Sequence, residues 1–202
     1  MKARSAGRGW NEDRFTRQAQ RENYLARSVY KLKEIDEREH IFKNAKLVLD
    51  LGAAPGSWTQ FALERMTSPQ ARLIAIDRAP LKISDRRVRF VERPIEDVDF
   101  DALLGTARPD LVLSDMAPNT SGIHDRDVAL SLDLASRALD TAKQYLKPGG
   151  TFVVKLFMGE SFEDYLRELK RHFKSVRVIR PESTRKHSRE VFFVAKGFGQ
   201  GR

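Results

Sequence analysis

The chain has 202 residues, enough for one domain of ordinary size. Its formal net charge is +9 while 41% of its residues are hydrophobic, so it can bury a core and still present surplus cations, which suit a phosphate-rich partner or simply aid solubility. The absence of cysteine excludes disulfides, Cys-held zinc or iron–sulfur clusters, and base methylation through a Cys nucleophile.

Residues 1–22 show little apolar periodicity and read as a basic, partly mobile arm. From Met1 to Lys33 the chain carries nine Lys or Arg against Glu12, Asp13 and Glu22, so much of the excess charge sits at this end. Residues 23–202 read as a single domain. An amphipathic helix is predicted over residues 23–39, with Leu25, Val29, Leu32 and Ile35 on one face. Short apolar runs at 47–49, 73–76, 88–91, 111–113 and 152–154 read as buried strands. Helices are predicted between most of them, the clearest over residues 125–147, stopped by Lys147-Pro148-Gly149-Gly150. Residues 162–172 form another, with Ser161 and Asp164 as its capping pair. Two last strands fall near 175–179 and 190–196. Alternation of continuous apolar strands with helices predicts an α/β fold with a mostly parallel sheet covered on both faces. In such sheets ligands bind beyond the carboxyl ends of the strands.

Two clusters stand at those ends. The first strand runs into Asp50-Leu51-Gly52-Ala53-Ala54-Pro55-Gly56-Ser57-Trp58, and the second ends at Asp77. Gly52-x-x-x-Gly56 is not the dinucleotide fingerprint, and Gly56-Ser57-Trp58 lacks the lysine of a P-loop. An acid just ahead of a glycine turn suits a cofactor with a positively charged amino-acid tail, such as S-adenosylmethionine. A tight turn with no ligand explains the same residues, and Trp58 is equally a core residue. In the second cluster, Ser114-Asp115-Met116-Ala117-Pro118-Asn119 follows the fourth strand, and Lys155 interrupts the apolar fifth. A lysine there is expensive unless paired, and Asp115 is its natural partner. The pair is either a buried structural bridge or chemistry. Deprotonating a ribose hydroxyl requires a lysine whose pKa, ordinarily about 10.4, is lowered by burial and a second cation. The Asn/Asp-Pro-Pro-aromatic tetrapeptide expected for base-amine methylation is absent.

In combination these motifs closely resemble the FtsJ/RrmJ family, the ribosomal RNA large-subunit methyltransferase E group. The resemblance extends from about Tyr24 to the end of the chain. It rests on Arg27-Ser28-Val29-Tyr30-Lys31-Leu32-Lys33-Glu34-Ile35, on Asp50 to Trp58, on Ser114 to Asn119, on Phe152-Val153-Val154-Lys155, and on Ser188-Arg189-Glu190-Val191. It implies a Rossmann-like domain whose seven-stranded sheet ends in an antiparallel pair. It also implies a catalytic tetrad of Lys31, Asp115, Lys155 and Glu190, with Lys155 as general base. Lys31 and Asp115 would orient the substrate and tune Lys155, and Glu190 would support the lysines or the target nucleotide. S-adenosylmethionine would lie against Asp50, Gly52, Ala53, Ala54, Pro55, Gly56, Ser57, Trp58, Asp77, Ile95 and Asp115. Where the family usually has an aspartate near the adenine, this chain has Pro94. Either Glu96 or Asp97 replaces it, or backbone and apolar contacts suffice.

The implied reaction is 2′-O-methylation of a ribose, a uridine in large-subunit (23S) ribosomal RNA or in the assembled subunit leading. Relatives acting on tRNA, pre-rRNA or mRNA caps share the tetrad. A non-catalytic ribosome-assembly protein and a small-molecule or protein methyltransferase are the alternatives from other classes. The basic arm with Arg27, Lys31 and Lys33, and the cluster Arg177, Arg180, Arg185, Lys186 and Arg189, flank the expected site and would form a phosphate groove. The segment 120–127, with Gly122, is expected to loop over the site. His40, His124, His172 and His187 have no ligand spacing, so no metal is expected. No apolar run nears the roughly 18 residues of a membrane span. No secretory core follows Met1, and the early acids argue against a transit peptide, so a cytoplasmic monomer is expected.

Overall fold

The computed structural model describes residues 14–119 and 121–201. Five strands run parallel: β1 (Leu47–Leu51), β2 (Arg72–Asp77), β3 (Val88–Glu92), β4 (Leu111–Ser114) and β5 (Thr151–Phe157). Then β6 (Phe173–Ile179) and β7 (Glu190–Phe198) pair antiparallel, and β7 inserts between β5 and β6. The resulting order is β3-β2-β1-β4-β5-β7-β6, the seven-stranded sheet that the resemblance implied. The direction of crossover reverses between β1 and β4, so both strands leave the sheet beside an open crevice.

Strand residues alternate between two cores. Val48, Leu73, Leu113, Val153, Phe192 and Val194 face α1 (Arg14–Arg21), α2 (Val29–Glu39) and α3 (Ser57–Arg65). Leu49, Ile74, Val112, Val154, Val191 and Phe193 face α4 (Phe100–Leu104), α5 (His124–Tyr145) and α6 (Phe162–His172). Both faces are therefore covered, and the apolar runs of the sequence are explained.

Several local expectations need correction. Residues 14–21 of the expected basic arm form the helix α1 and pack on the domain: Ala19 is buried and the Phe15 ring lies 5.5 Å from that of Tyr30. One apolar pair four residues apart, set among cations, is too short a signal to register as periodicity. Residues 1–13 of the expected arm lie outside the described residues. The next helix starts at Val29, six residues later than expected. Asn23 takes a left-handed conformation, and the Gln60 side chain binds the freed backbone, accepting from Leu25 N (2.8 Å) and donating to Asn23 O (3.1 Å). Leu25 is consequently exposed. Ser161 precedes α6 but makes no capping bond, since its backbone (φ −81°, ψ 5°) lacks the extended conformation of a cap, and the Asp164 side chain pairs with Arg167.

Phe193 is fully buried between α6 and the sheet, its ring 5.2 Å from Phe162 and 5.5 Å from Tyr165, on the side away from α2. Phe193→Ala should lower the unfolding free energy by about 3–5 kcal/mol, measured by urea denaturation.

Candidate active site

Sheet register explains why chemically distinctive residues converge. Lys155 pairs with Phe192 and Phe157 with Glu190 across the antiparallel β5–β7 ladder, so Lys155 and Glu190 are diagonal neighbours on one face. Leu113 aligns with Val153 and with Asp50, so Asp115, two residues beyond Leu113, returns to that same face. It is the face covered by α2 and α3. Lys31 lies on α2, in the turn between the buried Val29 and Leu32 and the buried Ile35.

The four residues form two ion pairs. Lys155 is 5% exposed, and its Nζ donates to Asp115 Oδ1 at 2.9 Å and to the Asp115 carbonyl at 2.6 Å. Lys31 Nζ lies 2.6 Å from Glu190 Oε1, and both side chains are largely buried. The Lys31 ammonium also sits 5.8 Å from the Phe192 ring centre, so Phe192 lies under one lysine and opposite the other. Two largely buried lysines, one on β5 and one on the helix that covers it, each with its own carboxylate, are more than a lone structural bridge needs. An ammonium has three donors, and Asp115 occupies two of those on Lys155. The remaining position is an N–H in the ammonium and a lone pair in the neutral amine.

Beside them lies the glycine turn. Gly52 has a φ of +78°, and a Cβ there would fall 2.7 Å from Met116 Cγ and 3.0 Å from the Met116 backbone. Only a bare backbone lets the segment after β4 close over the end of β1, which brings Asp115 to the turn. Gly56, at a φ of +123°, opens α3, and the Ala54–Pro55 peptide is cis. Asp77 braces the turn, accepting from Ala54 N at 2.9 Å and Ala79 N at 2.8 Å. Asp50 is fully buried. Its Oδ2 accepts from Thr59 Oγ1 at 2.8 Å, while Oδ1 has no partner. Burial foremost, with the nearby carboxylates of Asp115 and Asp77 adding to it, pushes the Asp50 carboxyl up to about 7, against the lowering effect of Thr59. Three acids therefore converge on one turn of a strongly basic chain, a local field that favours a cation.

Not every expected residue turns to this crevice. Trp58 is buried against Phe192, its Nε1 donating to Ser28 O at 2.9 Å, and Ser57 Oγ lies 2.8 Å from Ser28 Oγ. Their side chains join α3 to the start of α2, and only their backbone remains for a ligand. Pro94 precedes a short 3-10 turn, Ile95–Asp97. Ile95 is half-buried on the second core, and Glu96 and Asp97 are exposed. Of the segment 120–127, Thr120 lies outside the described residues. The rest leads directly into α5: Asp127 accepts from Ser121 N (2.8 Å) and Gly122 N (3.2 Å). Thr59, Met116 and Glu34 were not singled out from the sequence. Thr59 is two residues past the turn and Glu34 one helical turn past Lys31, and those spacings were the available signal.

Comparison with known proteins identifies the family. The model of the FtsJ-like methyltransferase family matches residues 24–198. A ribosomal RNA large subunit methyltransferase E from Bdellovibrio bacteriovorus is 41% identical over 90% of this chain and 94% of its own length. Its namesake from Marinobacter nauticus is 42% identical over 92% and 91%. A crystal structure described as a ribosomal RNA methyltransferase from Plasmodium falciparum superimposes with a TM-score of 0.76 at 31% identity, covering 89% of this chain and all of that one.

Asp50 provides a pH test of the site. Its folded-state pKa of about 7 exceeds the ordinary value of 3.8, so the folded protein holds a proton that the unfolded chain releases between those values. Its contribution to stability is complete at low pH and is lost as pH rises toward 7. Asp50→Asn should therefore gain on the wild type by up to about 4 kcal/mol between about pH 4 and 8. Parallel denaturant titrations with no change in the difference would contradict it.

Proposed function

The chain belongs to the FtsJ-like methyltransferase family, and from that premise we propose that it transfers a methyl group from S-adenosylmethionine to a ribose 2′-hydroxyl in RNA. The substrate we propose is a uridine of large-subunit ribosomal RNA, free or in the assembled subunit. The name carried by the relatives supports that target. The observation that carries the reaction type is the buried Lys155, fixed by two bonds to Asp115, beside the Lys31–Glu190 pair.

The residues suit the cofactor. S-adenosylmethionine bears a sulfonium and an ammonium, and the turn offers Asp50, Asp77 and Asp115 to them. The open first turn of α3 presents backbone N–H groups suited to a carboxylate. Ile95 and Pro94 offer an apolar edge for the adenine in place of the usual aspartate. When bound, the cofactor supplies an electrophilic methyl group.

Lys155 acts as the general base. As a neutral amine it keeps its two N–H bonds to Asp115, which leaves the nitrogen lone pair to receive the proton of the 2′-hydroxyl. Asp115 binds the ammonium that forms once the proton has moved. Glu190 holds Lys31 in place. Basic side chains of α1 and of residues 180–189 flank the site and would bind the phosphates on either side of the target.

Labelled methyl transfer to large subunits and to free ribosomal RNA tests the reading, followed by digestion to nucleosides. The expected result is label on a ribose, reduced by Lys155→Ala at least about a hundredfold with cofactor binding retained. Label on a base, or full activity of Lys155→Ala, would sink it. Transfer only to tRNA or cap substrates would move the target, and cofactor binding without transfer to any RNA would favour a non-catalytic RNA-binding role. Affinity for RNA should also fall at least about tenfold between about 50 and 200 mM salt, whereas a flat response would remove the phosphate groove.

A further inference from the structure

Glu34 is a charged residue that the reaction does not use. It lies half-buried on α2, three residues after Lys31. Its carboxylate accepts from two successive backbone amides of the β6–β7 connection: Glu182 N on Oε2 at 2.6 Å and Ser183 N on Oε1 at 3.0 Å. From the preceding turn, the Arg27 guanidinium donates to the carbonyl of the same Ser183. Ser183 is fully buried, whereas Arg185, Lys186, His187 and Arg189 after it are exposed. The connection is therefore pinned at one point against α2 and runs from there directly into Glu190. Arg27, Lys31 and Glu34 stand at steps of four and three, so one side of this segment faces both the connection and Glu190.

We propose that Glu34 is a positioning residue: it clamps the β6–β7 connection to α2 and so fixes Glu190 against Lys31 and sets the spacing of the two basic segments that flank the site. Both oxygens of a carboxylate are needed to accept two amides, since an amide side chain has one acceptor and presents donors in place of the other. Without the Glu34 carboxylate, only the single Arg27 bond to Ser183 and the Lys31–Glu190 salt bridge hold the connection to α2. The substrate hydroxyl would then meet a lysine pair of variable geometry, and misplacements of about 1 Å cost as much as about a hundredfold in rate. The clamp stands apart from the turn at Gly52, so cofactor binding is not expected to sense it. The catalytic part of this inference rests on the proposed methyl transfer to RNA.

The test is Glu34→Gln, with Glu34→Asp and Glu34→Ala alongside, read two ways. Native-state hydrogen exchange should show the amides of Glu182 and Ser183 exchanging at least about tenfold faster in Glu34→Gln, with the increase reaching Glu190. In methyl transfer to RNA, kcat should fall by about tenfold to a hundredfold and KM for RNA should rise, while the cofactor Kd stays within about twofold. Glu34→Asp retains both acceptors and should recover part of the loss. Unchanged exchange in Glu34→Gln overturns the clamp, and faster exchange with unchanged kcat and unchanged KM for RNA overturns its positioning role. If Glu34→Ala fails to fold, the near-isosteric Glu34→Gln still decides. A wild type that methylates no RNA would instead defeat the functional reading. Exchange that spreads to Glu190 would then uphold the clamp, and exchange confined to Glu182 and Ser183 would overturn it.

Discussion

A lysine in the middle of a buried strand imposes more on this molecule than any other single residue. An unpaired ammonium inside a sheet is worth several kcal/mol of destabilisation, so Lys155 is tolerable only where a carboxylate can reach it. Asp115 does so because β4 is the parallel neighbour of β5 and ends one residue short of the acid. Asp115 in turn can sit close to the end of β1 because Gly52 has no side chain to hold Met116 away. On the other flank, antiparallel β7 presents Glu190 to the same face, and α2 brings Lys31 across to it. Sheet order, a glycine and a helix position are thus all conditions for one buried charge.

The site has two electrostatic halves. Asp50, Asp77 and Asp115 gather on the turn side, where burial first, and the two neighbouring carboxylates after it, raise the Asp50 pKa to about 7. Lysines and arginines dominate the other side, along α1 and the β6–β7 connection. A cationic donor and a polyanionic acceptor would each be drawn to its own half. Their meeting point lies at Asp115, the one acid that belongs to both groups, since it faces the turn and also binds Lys155.

Much of this could be read from the residues. Apolar runs located the five parallel strands, the last two were placed near 175–179 and 190–196, and Lys155 announced itself because a charge in such a run demands a partner. The details that escaped depend on neighbours distant in sequence. The start of α2 is decided by Gln60, which lies on another helix, and no local pattern contains that information. Trp58 turns inward because Phe192 and the Ser28 carbonyl await it there, the core position that the sequence held open beside the crevice. Ser161 and Asp164 have the spacing of a capping pair, yet the acid prefers the Arg167 guanidinium one turn on. Pro94, read as a departure from the family, opens a short helical turn that leaves Glu96 and Asp97 exposed. Glu34 has no local mark of its role, because its partners, residues 182 and 183, reach it only through the fold.

The insertion of β7 between β5 and β6 has a consequence for how the protein comes into being. Strands β1 to β5 can pair as soon as each is made, but β6 has no neighbour of its own until the chain returns. During synthesis, β5 would remain an open edge, with Lys155 lying along it, until residues 190–198 emerge. Glu190 is the first residue of that closing strand. The step that seals the sheet is therefore the same step that delivers the last of the four charged groups, and a partly made chain has neither a finished fold nor a finished site.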